Sequence, residues 1–150
     1  MSGEIVTILD SALIMLKLGI IGTGRLGSFH TDKAAAHSDV ELVAVMNTSE
    51  SSRKALAAKH RVVDCATLDE LFPLVEAVVI AAPTSAHHEL GLHCLRRGIH
   101  VLMEKPMCAS QDEAEELVDA AETSNVVLMV GHVEEFNPAW TAAEIGRAHV

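Results

Sequence analysis

Hydrophobic and polar positions divide the chain into short apolar runs separated by amphipathic stretches. The apolar runs lack the polar alternation of a half-exposed strand, which is typical of strands covered on both faces of a parallel sheet. They predict strands at 17–21, 40–46, 61–65, 77–83, 99–106 and 126–132. The intervening stretches predict helices at 26–35, 53–59, 87–97 and 110–122, and a further helix that begins at residue 67.

Several residues mark where these elements begin and end. Thr67 and Ser110 each precede an acidic residue by three positions, a capping-box pattern in which the hydroxyl caps the helix. Gly98 follows the fourth helix, where glycine accommodates the left-handed conformation that closes a helix. Pro106 is expected to end the fifth strand, because proline has no N–H to donate to the sheet.

Strands alternate with helices from one end of the chain to the other. Such alternation is typical of parallel strands joined by helical crossovers, and right-handed crossovers leave few topologies. We therefore predict an α/β fold, a doubly wound parallel sheet of the Rossmann-like kind. The length of 150 residues suits one domain of this size.

The net charge disfavours sequence-independent binding to nucleic acid or acidic lipid. The formal net charge is −10, whereas sequence-independent binding to nucleic acid or acidic lipid requires a basic face. The apolar stretch at 5–21 is interrupted by Asp10 and Lys17, which makes it too broken for a membrane span. Glu4 stands where a signal peptide has a basic flank. We expect neither a nucleic-acid partner nor a membrane partner.

The cysteines and histidines do not have the spacing of a metal site. The cysteines are odd in number and widely separated, and the histidines lack the i, i+4 pair of a helical zinc site. We expect reduced, mostly buried thiols in a cytoplasmic protein, and no metal. The cysteines are Cys65, Cys94 and Cys108.

Both ends of the chain carry unusual sequence. Met15 stands just before the first strand, so residues 1–14 are expected to be an extension with no role in the fold. Residues 144–150, EIGRAHV, back-translate to a common sequencing-library adapter. We interpret them as an adapter-derived tail; the alternative is a genuine short terminus.

A glycine pattern follows the first predicted strand and opens the first predicted helix. Gly22 permits a tight turn, Gly24 allows the backbone to approach a diphosphate, and Gly27 allows helix and strand to pack closely. The N–H groups and positive end of the helix then attract phosphate. The alternative is a glycine-rich turn without a ligand. The candidate cofactor contacts in this loop are Gly22, Thr23, Gly24, Arg25, Leu26 and Gly27.

The end of the second strand leaves the choice between NAD and NADP open. A ribose-binding acid is usual roughly 20 residues past the loop, but this chain has Asn47. Asparagine can bond a ribose hydroxyl without repelling a 2′-phosphate, and nearby polar residues could bind that phosphate. Alternatively, these residues only turn the chain and cap a helix. They are Thr48, Ser49, Ser51 and Arg53.

Three further stretches lie at predicted strand ends: AAPTSAHHE at 81–89, EKP at 104–106 and GHVEEFNPA at 131–139. Together with the glycine loop, in this order, they resemble the Gfo/Idh/MocA family of nicotinamide-dependent sugar and polyol oxidoreductases. The resemblance extends over about residues 17–140. It implies that the first stretch lies along the cofactor near its nicotinamide end. Its candidate contacts are Ala82, Pro83, Thr84 and His87. The alternative for His87 is a bond to the backbone at the helix start, and it could have both roles.

The EKP match makes Lys105 the candidate catalytic residue and also a candidate cofactor contact. An ammonium at the end of a strand can bond the reacting hydroxyl and stabilise its developing negative charge. The alternative is a solvated surface lysine. Glu104 is expected to orient this lysine or to contact the cofactor.

The resemblance also implies a second, α+β domain that this chain lacks. That domain would supply a histidine base, the substrate pocket and the interface of a homo-oligomer. Residues 15–133 would then be the dinucleotide-binding domain and 134–143 the start of the second, which predicts an inactive fragment. Glu135 replaces the arginine of the family's G-H-x-x-R-F-N-P motif, which puts that substrate contact in doubt.

The resemblance implies hydride transfer between a sugar, polyol or nucleotide-sugar hydroxyl and NAD or NADP. The GHVEEFNPA sequence is most similar to the corresponding motif of members that oxidise the 3-hydroxyl of a UDP-N-acetylhexosamine. The alternative is a non-catalytic protein that binds a dinucleotide and signals to a partner.

Overall fold

The computed structural model describes residues 15–132. Strands and helices alternate along this part of the chain, as the hydrophobic pattern predicts. The strands are β1 Leu16–Ile21, β2 Val40–Met46, β3 Val63–Cys65, β4 Ala77–Ile80, β5 His100–Met103 and β6 Leu128–Val130. The helices are α1 Arg25–Ala35, α2 Glu50–His60, α3 Leu68–Leu71, α4 Thr84–Leu95 and α5 Gln111–Ser124, and a 3₁₀ turn, Phe72–Leu74, follows α3.

The six strands form one parallel sheet in the order β3-β2-β1-β4-β5-β6. This is the doubly wound order of the predicted Rossmann-like fold, which is confirmed. The strand order reverses between β1 and β4, where Ile21 lies beside Met46 on one side and Ile80 on the other. Ligands of such sheets bind outside the carboxyl ends of the strands at this reversal.

Alternate residues of the central strands belong to two hydrophobic clusters, as expected from the period of two in a strand. Val78 and Ile80 of β4 pack in the larger cluster with Leu95 and Leu117 of α4 and α5. Val79 packs in the smaller cluster, which contains Leu56 of α2. Both faces of the sheet are therefore covered, which explains why these strands show no polar alternation.

Three strands end earlier than the sequence predicts. β4 ends at Ile80 rather than Pro83, β5 at Met103 rather than Pro106, and β6 at Val130 rather than 132. The Glu104 N–H still donates to the Ile80 carbonyl at 2.9 Å, and the chain then leaves the sheet. Apolar composition does not reveal where the backbone leaves the sheet.

Two helices begin three residues before their predicted starts. The second begins at Glu50 rather than 53, and the fourth at Thr84 rather than 87. The third strand begins at Val63 rather than 61, because Arg61 adopts the left-handed conformation that closes α2, with φ of 58°. The periodicity of apolar residues does not reveal these boundaries, because the first turns of α2 and α4 and the cap of α2 contain mostly polar residues.

Both predicted capping boxes have their caps. The Glu70 N–H donates to Thr67 Oγ1, and the Glu113 N–H donates to Ser110 Oγ, each at 3.3 Å. Each glutamate also accepts a hydrogen bond from the N–H of the residue before the cap, at 2.6 Å from Ala66 and 2.9 Å in the second case. Gly98 has the expected positive φ of 76°, three residues beyond Leu95.

The three cysteines are free thiols. Cys65 and Cys94 are buried, whereas Cys108 is partly exposed. Burial raises the pKa of Cys94 to about 12. Across residues 15–132, no cluster of side chains suits a metal ion, and none of the helices there is both long and apolar enough to cross a membrane.

Candidate functional site

A cleft of about 610 Å³ opens at the carboxyl edge of the sheet, where β1 and β4 diverge. The glycine loop, the end of β2 and the start of α4 form its walls. Most of the predicted cofactor contacts are among its lining residues: Ile21, Gly22, Thr23, Gly24, Arg25, Leu26, Met46, Asn47, Thr48, Ala81, Ala82, Pro83, Ala86 and Leu90. The predicted contacts that do not line it are Gly27, Arg53, Thr84, His87, Glu104 and Lys105.

A second cleft, of about 590 Å³, lies at the opposite, amino edge of the sheet. There the Arg97 guanidinium lies 4.6 Å from the centre of the Phe72 ring and pairs with Asp69 at 3.4 Å. The strands of a doubly wound sheet present ligands at their carboxyl ends, so the first cleft is the candidate site.

The glycine loop packs closely against its own helix and against β4. Gly22 has a φ of +97°, and a Cβ there would lie 2.6 Å from the Ala81 carbonyl oxygen. A Cβ at Gly27 would overlap the Gly22 carbonyl. Gly27 is therefore buried beneath the loop and shapes the corner without lining the cleft.

The corner has room for an anion and donors that could bind one. A Cβ at Gly24 would meet no atom of residues 15–132 within 4 Å. Gly24 is also the N-cap of α1, and within the described chain no side chain caps this helix and no acid lies in its first turn. The first N–H groups of a helix lack intrahelical partners and carry partial positive charge. These features fit the diphosphate of a dinucleotide.

A chain of side-chain hydrogen bonds connects the glycine loop with the end of β2. Asn47 Nδ2 donates to Thr23 Oγ1 at 2.6 Å, and Ser52 Oγ donates to the Thr23 carbonyl at 3.0 Å. Because each hydroxyl has one proton, Thr23 Oγ1 is the donor in its 2.7 Å contact with Ser52 Oγ. Asn47 Oδ1 accepts from the Ser49 N–H at 3.3 Å. The amide is thus held by the protein while Asn47 still lines the cleft.

Arg53 is buried, which differs from the expectation of a phosphate contact. Its side chain is 10% exposed, and its Nε lies 3.3 Å from Asp64 Oδ2. Its Nη1 donates to the Asn47 carbonyl oxygen at 3.1 Å. The guanidinium therefore pairs with a carboxylate of β3 and holds the end of β2. The prediction that Arg53 also contacts the cofactor stays a prediction.

His87 connects the ends of β4 and β5 through backbone carbonyls. The residue is 1% exposed, its Nε2 lies 2.8 Å from the Ala82 oxygen, and its Nδ1 lies 2.9 Å from the Pro106 oxygen. Carbonyls only accept, so a ring nitrogen bonds its carbonyl only when it carries the proton. Both ring nitrogens face backbone oxygens, as expected of a residue that bonds the backbone, and the prediction that His87 also contacts the cofactor stays a prediction. Thr84 begins this helix.

Glu104 and Lys105 follow β5 at the same carboxyl edge. Glu104 is 7% exposed and its two oxygens have separate partners. Oε1 accepts from His30 Nε2 at 2.6 Å, and Oε2 accepts from the Lys105 N–H at 3.2 Å. Lys105 is exposed, and within residues 15–132 its ammonium forms no ion pair.

His30 is a site residue that sequence reasoning missed. It belongs to α1, three residues after Gly27, and packs against a carboxylate 74 residues away. The available signal was a titratable residue within one turn of the glycine loop. His132 follows β6 and is exposed. The remaining predictions lie outside the described residues. They concern residues 1–14, Glu135, the FNP motif at 136–138, the domain start at 134–143 and the tail at 144–150.

Comparisons with known proteins agree with the fold described above. The family model described as an oxidoreductase family with an NAD-binding Rossmann fold, Gfo/Idh/MocA, matches residues 16–132. UDP-N-acetylglucosamine 3-dehydrogenase of Acidithiobacillus ferrooxidans is 35% identical over 127 residues, which cover 85% of this chain and 40% of that protein. Its solved structure has a TM-score of 0.83 at 32% identity, covering 89% of this chain and 44% of that one.

Two other relatives differ in the cofactor that their names give. The scyllo-inositol 2-dehydrogenase (NADP(+)) of Bacillus subtilis is 34% identical over 127 residues, covering 83% of this chain and 39% of that protein. The crystal structure of GenD2 from gentamicin A biosynthesis, in complex with NAD, has a TM-score of 0.76 at 31% identity and covers 78% of this chain and 34% of that one. This chain spans about 40% of the length of the curated relatives. The chain belongs to the Gfo/Idh/MocA family of oxidoreductases and carries the family's NAD-binding Rossmann fold.

Proposed function

We propose that this protein binds NAD or NADP and takes part in the oxidation of a hydroxyl group on a sugar, polyol or nucleotide sugar. The observation that carries the proposal is the placement of two features at one sheet edge. An uncapped helix start with open space at Gly24 lies there, and Lys105 follows β5 at the same edge. One feature suits a diphosphate, and the other suits a reacting oxygen.

In this proposal the nicotinamide supplies a hydride acceptor when it is bound. The N–H groups at the start of α1 bind the diphosphate, and Thr23 and Asn47 hold the loop and the end of β2 in place. Ala82 and Pro83 form the wall of the cleft toward β5. Buried His87 fixes that wall to the Pro106 turn.

Lys105 is the proposed catalytic residue of this part of the chain. Its ammonium donates a hydrogen bond to the substrate oxygen and stabilises the negative charge that develops as the hydroxyl proton leaves. We assign no base among residues 15–132, since both buried or half-buried histidines at this edge, His30 and His87, are already bonded to protein groups.

We propose a nucleotide-linked amino sugar as the substrate, with oxidation at its 3-hydroxyl. Support comes from the 35% identity to the UDP-N-acetylglucosamine 3-dehydrogenase and from the wording of the motif at 131–139. The scyllo-inositol dehydrogenase relative favours the wider class of ring secondary alcohols. The substrate proposal concerns the whole protein, because this chain spans about 40% of the length of its curated relatives.

Calorimetric titration of the 150-residue chain with NAD and NADP tests cofactor binding. Genomic DNA read past the codon for Ala143 defines the protein to assay for catalysis. We expect that protein to reduce NAD or NADP with UDP-N-acetylglucosamine, followed by the absorbance of the reduced nicotinamide. We expect Lys105→Ala to abolish the reaction while retaining cofactor binding. Binding without any Lys105-dependent turnover would instead favour a dinucleotide sensor. Absence of binding to the wild-type chain would refute the proposal.

A further inference from the structure

We propose that His30 is a positioning residue for Lys105 and acts through Glu104. The imidazole would hold one oxygen of Glu104 while the other oxygen holds the Lys105 backbone. This inference rests on the proposed role of Lys105, and it assigns a second function to α1, the helix that starts at the glycine corner.

The contacts form a continuous path from α1 to the lysine. His30 Nε2 lies 2.6 Å from Glu104 Oε1, and the Lys105 N–H lies 3.2 Å from Glu104 Oε2. Because a carboxylate only accepts hydrogen bonds, the proton of the first contact is on Nε2. Charge-assisted bonds of this kind are short and stronger than neutral ones. Each oxygen of the carboxylate thus has a directed partner.

The surroundings of Glu104 leave it little freedom. Its side chain is 9% exposed and that of His30 is 15% exposed. A Cβ at Gly131 would lie 3.4 Å from Glu104 Oε1, and the Gly131 N–H donates to the Met103 carbonyl at 2.8 Å. Gly131, the residue after β6, therefore lies close to the carboxylate without holding it, and the directed contact to Oε1 comes from His30.

One rigid helix connects the diphosphate corner with this contact. Arg25 begins α1 and His30 follows five residues later, which is about 7.5 Å along a helix at 1.5 Å per residue. The N-terminus of α1 would hold the diphosphate, and its second turn would hold Glu104. The helix consequently sets the spacing between the bound dinucleotide and the backbone of Lys105.

Backbone fixation matters because a lysine side chain is long and flexible. Lys105 is exposed, and within the described residues no ion pair restrains its ammonium. Holding its backbone N–H limits the volume that the ammonium can sample. Loss of the His30 contact would therefore reduce turnover more than it reduces cofactor binding.

The experiment compares His30→Ala and His30→Gln with a matched control. Glutamine can still donate an N–H to Glu104, whereas alanine cannot. His88→Ala is the control, because His88 also bonds a glutamate between two elements, Glu116 at 2.9 Å, but on the outer face of α4 and α5. Hydrogen exchange of the Lys105 amide is measured by NMR in the 150-residue chain, and turnover is measured in the whole protein.

We expect His30→Ala to speed exchange of the Lys105 amide and to lower kcat by about tenfold or more, the loss expected for one charged hydrogen bond. The Kd for NAD or NADP should change less than about threefold. His30→Gln should restore most of the protection and turnover, and His88→Ala should change neither.

A folded His30→Ala protein with unchanged Lys105 exchange would overturn the inference, even if the wild type is active. Equal losses of stability and activity in His30→Gln and His30→Ala would overturn it as well, since they would indicate a packing role. Failure of the proposed function gives a different result, because then the wild-type protein itself binds no cofactor or its turnover survives Lys105→Ala.

Discussion

Asn47 Nδ2 donates a 2.6 Å hydrogen bond to Thr23 Oγ1 and so joins the end of β2 to the glycine loop. An acid at this position would ordinarily bind the ribose hydroxyls and repel a 2′-phosphate. The amide keeps the loop connection without the negative charge. Arg53, the nearby cation, is paired with Asp64. The charges at the end of β2 therefore favour neither NAD nor NADP.

We expect the wild-type chain to bind NAD and NADP with Kd values within about tenfold of each other, and Asn47→Asp to weaken NADP by about tenfold or more. The carboxylate would repel the 2′-phosphate but can still accept a hydrogen bond from a ribose hydroxyl. Calorimetry with both cofactors measures the ratio. Asn125→Asp, at the end of α5, adds the same charge away from the cleft and should leave the ratio unchanged. An unaltered ratio in Asn47→Asp would place the ribose elsewhere.

Alanine substitutions at Gly24 and Gly27 should affect different properties, cofactor binding in the first case and stability in the second. Gly24→Ala meets only open space, so its free energy of unfolding should change by less than about 1 kcal/mol. Its methyl group would occupy the space of the diphosphate and should weaken cofactor binding at least tenfold. Urea unfolding and calorimetry separate the two effects.

Gly27→Ala should instead destabilise the chain by more than about 3 kcal/mol, because its methyl group would overlap the Gly22 carbonyl. Urea unfolding measures this loss. If Gly24→Ala bound both cofactors like the wild type, the diphosphate would not lie at this corner.

The sheet and most of its elements could be predicted because they depend on local periodicity. Buried strands such as β2, Val40–Met46, are continuous apolar runs, and the glycine loop is a local backbone requirement. The positions where β4 and β5 leave the sheet could not be read from composition, since Ala81 and Ala82 are as apolar as the strand before them.

The side-chain partners were harder to predict because they join distant parts of the chain. His30 and Glu104 are 74 residues apart, and nothing local to either residue indicates the other. The position of Arg53 shortly after β2 in the sequence suggests a phosphate ligand. Its burial against Asp64 depends on the pairing of β3 with β2, which the local sequence does not indicate. Such contacts follow from the tertiary fold.

Cys94 should make the folded chain less stable in alkali. Burial raises the pKa of Cys94 to about 12 from an ordinary value of 9.0. Above pH 9 the unfolded chain loses this proton while the folded chain keeps it, so the free energy of unfolding should fall by up to about 1.4 kcal/mol per pH unit until pH 12. Urea unfolding of the wild type and Cys94→Ala at a series of pH values from about 8 to about 10 measures the difference. Parallel pH profiles for the two proteins would contradict the expectation.

His87 should contribute far more to the free energy of unfolding than His93, which lies on the same helix. Its ring is 1% exposed and lies between the carbonyls of Ala82 and Pro106. His87→Ala would leave a cavity and unpair buried carbonyl groups, so we expect a loss of about 2–4 kcal/mol in the free energy of unfolding. Exposed His93→Ala on α4 is the control and should change stability by less than about 0.5 kcal/mol.

If the His87 ring also touched the cofactor, saturating NAD or NADP would stabilise the wild type more than it stabilises His87→Asn. We expect equal increments in Tm instead, because both ring nitrogens are directed at the backbone. Thermal unfolding of both proteins with and without cofactor decides between the two roles.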